Sequence, residues 1–439
     1  MAMPVQLMRV LSAAAVVVLM FVHARPAEPR TTRRGDDGHL VASAAVARPQ
    51  RSDAPRAVAQ ASPRWKSRID RRVAGKSFGI AVRIDGRIIY KHASRVRRIP
   101  ASNQKLLLSM AMLSHFDPDV RLTTTAATGA RRGRVVTGNL WLRGTGDPFV
   151  GAGTRYRRSL SFGMTSLRVL AKRVVDSGVR RIRGRVIGST GYFSHDWWAP
   201  GWKSHFPTYY VGLPSALTFN GNRAKGRFIS DPERRAAVWL TRRLESLGVR
   251  VHHRASTGVA PGGLRAIASI NSKPLQTILR YMNFASSNFA AELLGKRLGV
   301  ARYGRPGTIA KGARAVKAWA RAGGVRVEAA DSSGLSYHNR VSTRALARLL
   351  DKVEERPWGP LLRRTLPHPG RGTLKDRLGG MPVRAKTGTL NNISALSGWI
   401  RLKRTDQWAS FSIMSSGLTK SRAVEIENMI VRTIYDRAL

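Results

Sequence analysis

The stretch Arg98-Ile99-Pro100-Ala101-Ser102-Asn103-Gln104-Lys105, followed by the mostly apolar run 106–113, constrains the fold more than any other part of the chain. A helix starting near Pro100 brings residues three apart onto one face, so it stacks the Ser102 hydroxyl beside the Lys105 amine. The apolar run sinks the same helix into a core and leaves its first turn facing a cleft. A serine hydroxyl attacks poorly until a base removes its proton, and a lysine can be that base where burial or a nearby cation holds it neutral. Of the sixteen lysines in the chain, Lys105 alone has a serine three residues before it. Taken by itself, the pair also fits a helix cap at Ser102 followed by a solvated first-turn lysine.

Two later stretches give the pair company. A helical period runs through Leu275, Ile278, Leu279 and Met282 and resumes at Phe289, Leu293 and Leu294. Ser286-Ser287-Asn288 therefore falls in a short break between helices, where side chains can point into a cleft. Asn288 there would also suit the N-cap of the second helix. Another Ser-x-Asn, Ser269-Ile270-Asn271, reads as a strand end. Lys386-Thr387-Gly388 lies in a strand pattern over 383–389, with further strands over 395–402 and 407–415 and a closing amphipathic helix over 422–435. Near the start, Phe78, Ile80, Val82 and Ile84 alternate, Asp85-Gly86 marks a hairpin turn, and Ile88 and Tyr90 carry the return strand. Asp331-Ser332-Ser333-Gly334-Leu335-Ser336 reads as a tight polar loop between a strand-like segment, 324–328, and a helix starting near Ser342. The expected fold class is α+β, an antiparallel sheet with helices on both sides.

Between residues 121 and 270 the texture changes to short strands, loops and glycines, with one helical pattern over 167–177. This reads as a mainly β insert of one or two small domains, splitting a catalytic region into 64–120 and 271–439. Within it, Gly144-Thr145-Gly146-Asp147-Pro148 lacks the Gly-Lys-Ser/Thr of a phosphate loop and reads as a tight turn without chemistry. Trp197, Trp198 and Trp202 beside Pro200-Gly201 form a candidate sugar platform, with packing under a long loop the favoured reading.

At 439 residues the chain has room for two or three domains. It has no cysteine, which excludes disulfides and thiolate chemistry. The 77 Lys and Arg against 25 Asp and Glu give a formal charge of +52, enough to draw the protein to a polyanion such as nucleic acid, anionic lipid or acidic wall polymer. Arginine-rich codon usage in a high-GC genome is the competing explanation. Neither a paired Cys/His zinc pattern nor an aromatic-basic ribonucleoprotein signature is present, so no specific nucleic-acid partner is expected. Residues 1–24 read as a secretory signal, with Arg9 before an apolar stretch over 10–22 and small residues around Ala24. The stretch is short for a bilayer span, and only an uncleaved signal would hold the chain at a membrane. Residues 25–63, rich in Arg, Ala, Pro, Asp and Ser, read as a disordered basic linker. The expected location is extracytoplasmic, in the periplasm or cell wall.

Ser102-x-x-Lys105, Ser286-Ser287-Asn288, the 331–336 loop and Lys386-Thr387-Gly388-Thr389-Leu390 occur in the order found in serine-active penicillin-binding enzymes. Together they resemble the D-alanyl-D-alanine carboxypeptidase/endopeptidases, the class C low-molecular-mass penicillin-binding proteins, from about Trp65 to the C-terminus. The 181 positions from Lys105 to Ser286 resemble the class C pattern of extra domains between the first two motifs. The resemblance implies a penicillin-binding/β-lactamase-like transpeptidase fold and a Ser102 acyl-enzyme, with Lys105 as base. It further implies Ser286 as a proton relay to the leaving amine, Asn288 on the substrate amide and Lys386 as a source of positive potential. Thr387, Gly388 and Thr389 would bind substrate, and the backbone N–H groups of Ser102 and Thr389 would form an oxyanion hole. Expected partners are peptidoglycan stem peptides, β-lactams and anionic wall polymers; no metal or organic cofactor is implied. Two positions depart from the family pattern. Ser287 stands where aspartate is usual, and Lys203 follows Gly201-Trp202 where relatives that prefer diaminopimelate carry an acid. A β-lactam hydrolase of the same fold and a non-catalytic basic wall-binding protein are the alternative functions.

Overall fold

The computed structural model describes residues 63–160, 162–224 and 226–438; the expected signal and nearly all of the linker lie outside the described residues. The described residues open with a helix, Pro63–Val73, which the sequence reading does not anticipate. Its apolar residues Trp65, Ile69 and Val73 recur every four positions and are buried, but basic residues between them mask the period.

The central sheet runs in the order Val383–Leu390, Ile393–Arg401, Trp408–Ser416, Ser77–Ile84, Arg87–His92, with every neighbour antiparallel. The strands expected at both ends of the chain thus form one sheet. Asp85 and Gly86 both have positive φ, 45° and 79°, which the expected tight hairpin turn requires. Side chains alternate between two cores. Ala395 and Trp399 join one with the helix Thr343–Glu354, while Leu396 and Ile400 join the other with Pro63–Val73 and the closing helix Lys420–Arg437. Segment 324–328 is not a strand and contributes only an isolated bridge from Glu328 to Arg340. Its alternation arises because Val325 and Val327 both reach the first core with no strand beside them.

The helix Gln104–Leu113 is buried along its whole length. It packs among Leu275–Phe284, Asn288–Tyr303 and Ile309–Ala322, as an apolar run of that length demands. Between residues 123 and 271 the chain forms sheets of its own. One has the order Ser256–Gly258, Val186–Ser189, Leu140–Arg143, Thr123–Thr128, Arg265–Asn271. Its first three strands are parallel and are connected through the helices Leu167–Asp176 and Pro232–Glu245. The mainly β expectation misses this β-α-β-α-β unit. The second helix buries Ala236, Ala237, Leu240 and Leu244, but the arginines around them obscure its period. Among the described residues no helix is long and apolar enough to cross a membrane.

Leu107 is fully buried in the first core. Leu107→Ala should lower the unfolding free energy by about 2–5 kcal/mol, seen as a reduced denaturant midpoint at unchanged slope.

Candidate active site

Ala101–Asn103 forms a single 3-10 turn that leads into Gln104–Leu113, so the helical start expected near Pro100 is a tighter turn followed by an α-helix. Both residues between Ser102 and Lys105 are buried anchors: the Asn103 amide donates to Ser397 Oγ at 2.7 Å and the Gln104 amide to Asp331 O at 3.3 Å. Fixed in this way, the turn leaves Ser102 partly accessible while Lys105 is completely buried.

Lys105 Nζ has three acceptors: Ser102 Oγ at 3.1 Å, Asn288 Oδ1 at 2.7 Å and Ser333 O at 2.6 Å. The three come from positions far apart in the sequence. Asn288 opens the helix Asn288–Tyr303, and its amide also donates to Tyr210 O at 3.2 Å. Ser287, not Asn288, caps that helix, accepting from Ala290 N at 3.2 Å. Serine and aspartate are comparable N-caps, so the departure at this position keeps the cap and leaves the Asn288 side chain to meet Lys105 and Tyr210 O.

Lys386 Nζ, also fully buried, donates to Ser286 Oγ at 2.9 Å and to Thr387 O at 2.8 Å. Ser286 has φ +50°, a left-handed conformation rare for serine. Lys386 lies on an edge strand of the central sheet. A Cβ at Gly388 would lie 2.8 Å from Pro100 O, so glycine lets that strand pass close to the Ser102 turn. Thr389 is exposed, and Thr387 donates to Thr373 Oγ1 at 2.8 Å. Ser102, Lys105, Ser286, Asn288, Lys386 and the 387–389 strand thus gather at one place. Ser269-Ile270-Asn271, by contrast, is paired into the other sheet opposite Thr123–Thr125.

Residues 67–231 and 222–436 match the D-Ala-D-Ala carboxypeptidase 3 (S13) family. The chain belongs to that family. Carboxypeptidase DacB of Mycolicibacterium smegmatis is 29% identical over 372 residues, covering 79% of this chain and 78% of the relative. A D-alanyl-D-alanine carboxypeptidase of an Actinomadura species is 26% identical over 452 residues, covering 80% of each. Penicillin binding protein 4 of Haemophilus influenzae, whose structure is also known with a bound β-lactam, has the same fold: TM-score 0.71 at 21% identity, over 84% of this chain and 99% of that one. This S13 chain is accordingly a serine peptidase with a penicillin-binding fold.

Burial pushes the Lys105 amine down to about 7, against the opposing pull of Asp331 and Glu292. Lys386 is also lowered, by burial and then by the charges of Lys105 and Lys420. Glu292 is a site residue the sequence reading misses. It lies one turn below Asn288 and is fully buried, and its Oε1 accepts from Ser333 N at 2.7 Å and Ser332 N at 3.1 Å. It thereby holds the residue whose carbonyl meets Lys105. Burial, with Asp331 nearby, raises its own carboxyl to about 8. Asp331 in turn accepts from Gly334 N at 2.9 Å, Ser336 N at 2.7 Å and Asn339 Nδ2 at 2.8 Å, and from Trp202 Nε1 at 2.7 Å. Of the tryptophan cluster only Trp202 is buried; Trp197 and Trp198 are exposed, so the packing expectation holds for one of the three. An acid four residues after Asn288, on the same helix face, is the signal that points to Glu292. Among the described residues, no group of three or more His, Asp or Glu is placed to hold a metal ion.

Attack by Ser102 needs Lys105 neutral, so its rate should rise with pH through about 7. Glu292, raised to about 8, is mostly protonated where Lys105 titrates, so Glu292→Gln, which keeps an acceptor for the Ser332 and Ser333 N–H groups, should leave the position of that rise nearly unchanged. Glu292→Ala, which also frees the Ser333 loop, should slow acylation by roughly tenfold. Rates of covalent labelling by penicillin across roughly pH 5 to 9 check all three.

Proposed function

We propose that this chain is an exported serine DD-peptidase that hydrolyses D-Ala-D-Ala termini, or D-amino-acid cross-links, of peptidoglycan stem peptides through a Ser102 acyl-enzyme. The observation that carries this reading is the 3.1 Å contact between Ser102 Oγ and a fully buried amine lowered to about 7. Once deprotonated, the amine keeps two N–H groups for Asn288 Oδ1 and Ser333 O and turns its lone pair toward the Ser102 hydroxyl. The proton leaves Ser102 as its oxygen bonds the substrate carbonyl carbon, and the C–N bond then breaks as the leaving amine takes up a proton through Ser286. Water hydrolyses the ester in the second half of the cycle.

Lys386 has the complementary task. In the free protein, burial and neighbouring cations favour its neutral form. A substrate ending in a carboxylate supplies the missing counter-charge and favours the ammonium. Positive potential thus develops only when the correct anionic terminus is bound, with the Thr389 hydroxyl as its hydrogen-bond donor and the Thr387 hydroxyl joining it on turning from Thr373. Asn288, which bridges Lys105 and Tyr210 O, holds the substrate amide in this reading. Backbone N–H groups of Ser102 and Thr389 form the oxyanion hole in this reading. The names of the Mycolicibacterium and Actinomadura relatives support carboxypeptidase activity, and the apolar stretch 10–22 supports export.

A fluorescent penicillin should label the purified protein covalently, and Ser102→Ala should abolish labelling; labelling that survives the substitution overturns the assignment. Lys105→Ala should slow acylation roughly 10²–10⁴-fold. Mass spectrometry of a D-Ala-D-Ala peptide should show release of one alanine, whereas sustained turnover of penicillin instead would identify a β-lactam hydrolase.

A further inference from the structure

The parallel strands Leu140–Arg143, Val186–Ser189 and Ser256–Gly258 all end at a cleft of about 480 Å³. The loops that follow them, through Gly144-Thr145, Gly191-Tyr192 and 259–264, form its walls. Ligands in α/β sheets bind in the crevice beyond the carboxyl ends of the strands, where successive loops splay apart. The volume is within the range of about 300–1,000 Å³ typical of small-molecule sites. Close packing of the loops depends on glycine: a Cβ at Gly144 would lie 2.3 Å from Ala216 O, and one at Gly191 2.8 Å from Val259 Cγ1.

The lining has one chemical character. Arg143, opposite Thr125 in the strand register, and Arg305, just past the helix Asn288–Tyr303, both line the cleft. The Arg305 guanidinium lies over the Tyr192 ring, 4.6 Å from its centroid, an arrangement that restricts its motion. Thr125, Thr145 and Ser189 add hydroxyls, and no carboxylate is among the lining residues. Among the described residues neither Arg143 nor Arg305 has an ion-pair partner. Guanidinium forks match the two oxygens of a carboxylate or phosphate, while hydroxyls exchange hydrogen bonds with the hydroxyls of a sugar.

We propose that this cleft is a second binding site, for a short segment of an anionic glycan carrying carboxylate or phosphate groups. The site is independent of the peptidase reading. The helix that begins at Asn288 and ends next to Arg305 has 16 residues, or about 24 Å at 1.5 Å per residue. A polymer held in the cleft therefore leaves the Ser102 site free for a peptide. Gly144-Thr145, which the sequence reading treats as a turn without chemistry, is part of this site.

The test uses the full protein in calorimetric titrations at near-physiological salt, with three probes: an oligogalacturonate for the carboxylate, a glycerol-phosphate oligomer for the phosphate, and a neutral maltooligosaccharide. At least one anionic probe should bind, the better of the two identifying the group recognised, and the neutral one should not. Arg143→Ala with Arg305→Ala should weaken binding at least tenfold. The charge-matched pair Lys317→Ala with Arg321→Ala, outside the cleft, should change it less than twofold. Equal weakening by the two pairs would mean diffuse attraction to a protein of +52 and would overturn the proposal, as would failure of both anions to bind. Arg305→Ala alone, at an exposed side chain, gives the same reading should Arg143→Ala fail to fold. Penicillin labelling should be unchanged in every variant, so the two proposals fail separately.

Discussion

An amine with no solvent contact, held among a hydroxyl, an amide oxygen and a backbone carbonyl, is the constraint on which this structure depends. Burying a lysine is costly in its charged form, and the fold meets that cost in two ways. It lets the amine become neutral near physiological pH, and it gives every N–H an acceptor. Both require the three acceptors to stay within hydrogen-bond distance of one atom. Much of the surrounding architecture serves that requirement.

The hydrogen-bonded layers under the site follow from it. Ser333 O reaches Lys105 because Glu292 holds the N–H groups of Ser332 and Ser333 and Asp331 ties the same loop at Gly334 and Ser336. A Cβ at Gly334 would lie 1.9 Å from Ala101 O, so the loop can rest against the Ser102 turn only with glycine there. Trp202, from the inserted region, completes the shell by donating to Asp331. Asp331, and Glu292 once it ionises, limit how far the amine's proton affinity falls, since each opposes desolvation. Basicity at Lys105 is therefore a balance between depth and nearby negative charge. That balance is set by residues that never touch Ser102.

Much of this was legible in the chain. The hairpin at Asp85-Gly86, the three C-terminal strands and the break at Ser286-Ser287-Asn288 all have local causes: turn chemistry and hydrophobic period operate within about ten residues. The helices Pro63–Val73 and Pro232–Glu245 were not legible, because arginines crowd the positions between their apolar residues. Segment 324–328 misled for the opposite reason, since alternation reports burial of alternate side chains and does not require a pairing strand. Ser287 shows a third limit: which of two adjacent polar residues caps a helix depends on how the preceding turn enters it.

By itself the sequence determined which groups could react. A serine and a lysine three apart on a helix must be neighbours whatever surrounds them, because the helix geometry is local. What those groups are able to do was decided only by tertiary structure. The carbonyl of Ser333, the carboxylates of Glu292 and Asp331 and the amine of Lys386 converge on that helix from positions up to about three hundred residues away. Proton affinity depends on desolvation and on charges within a few ångströms, and no pattern along the chain encodes those distances.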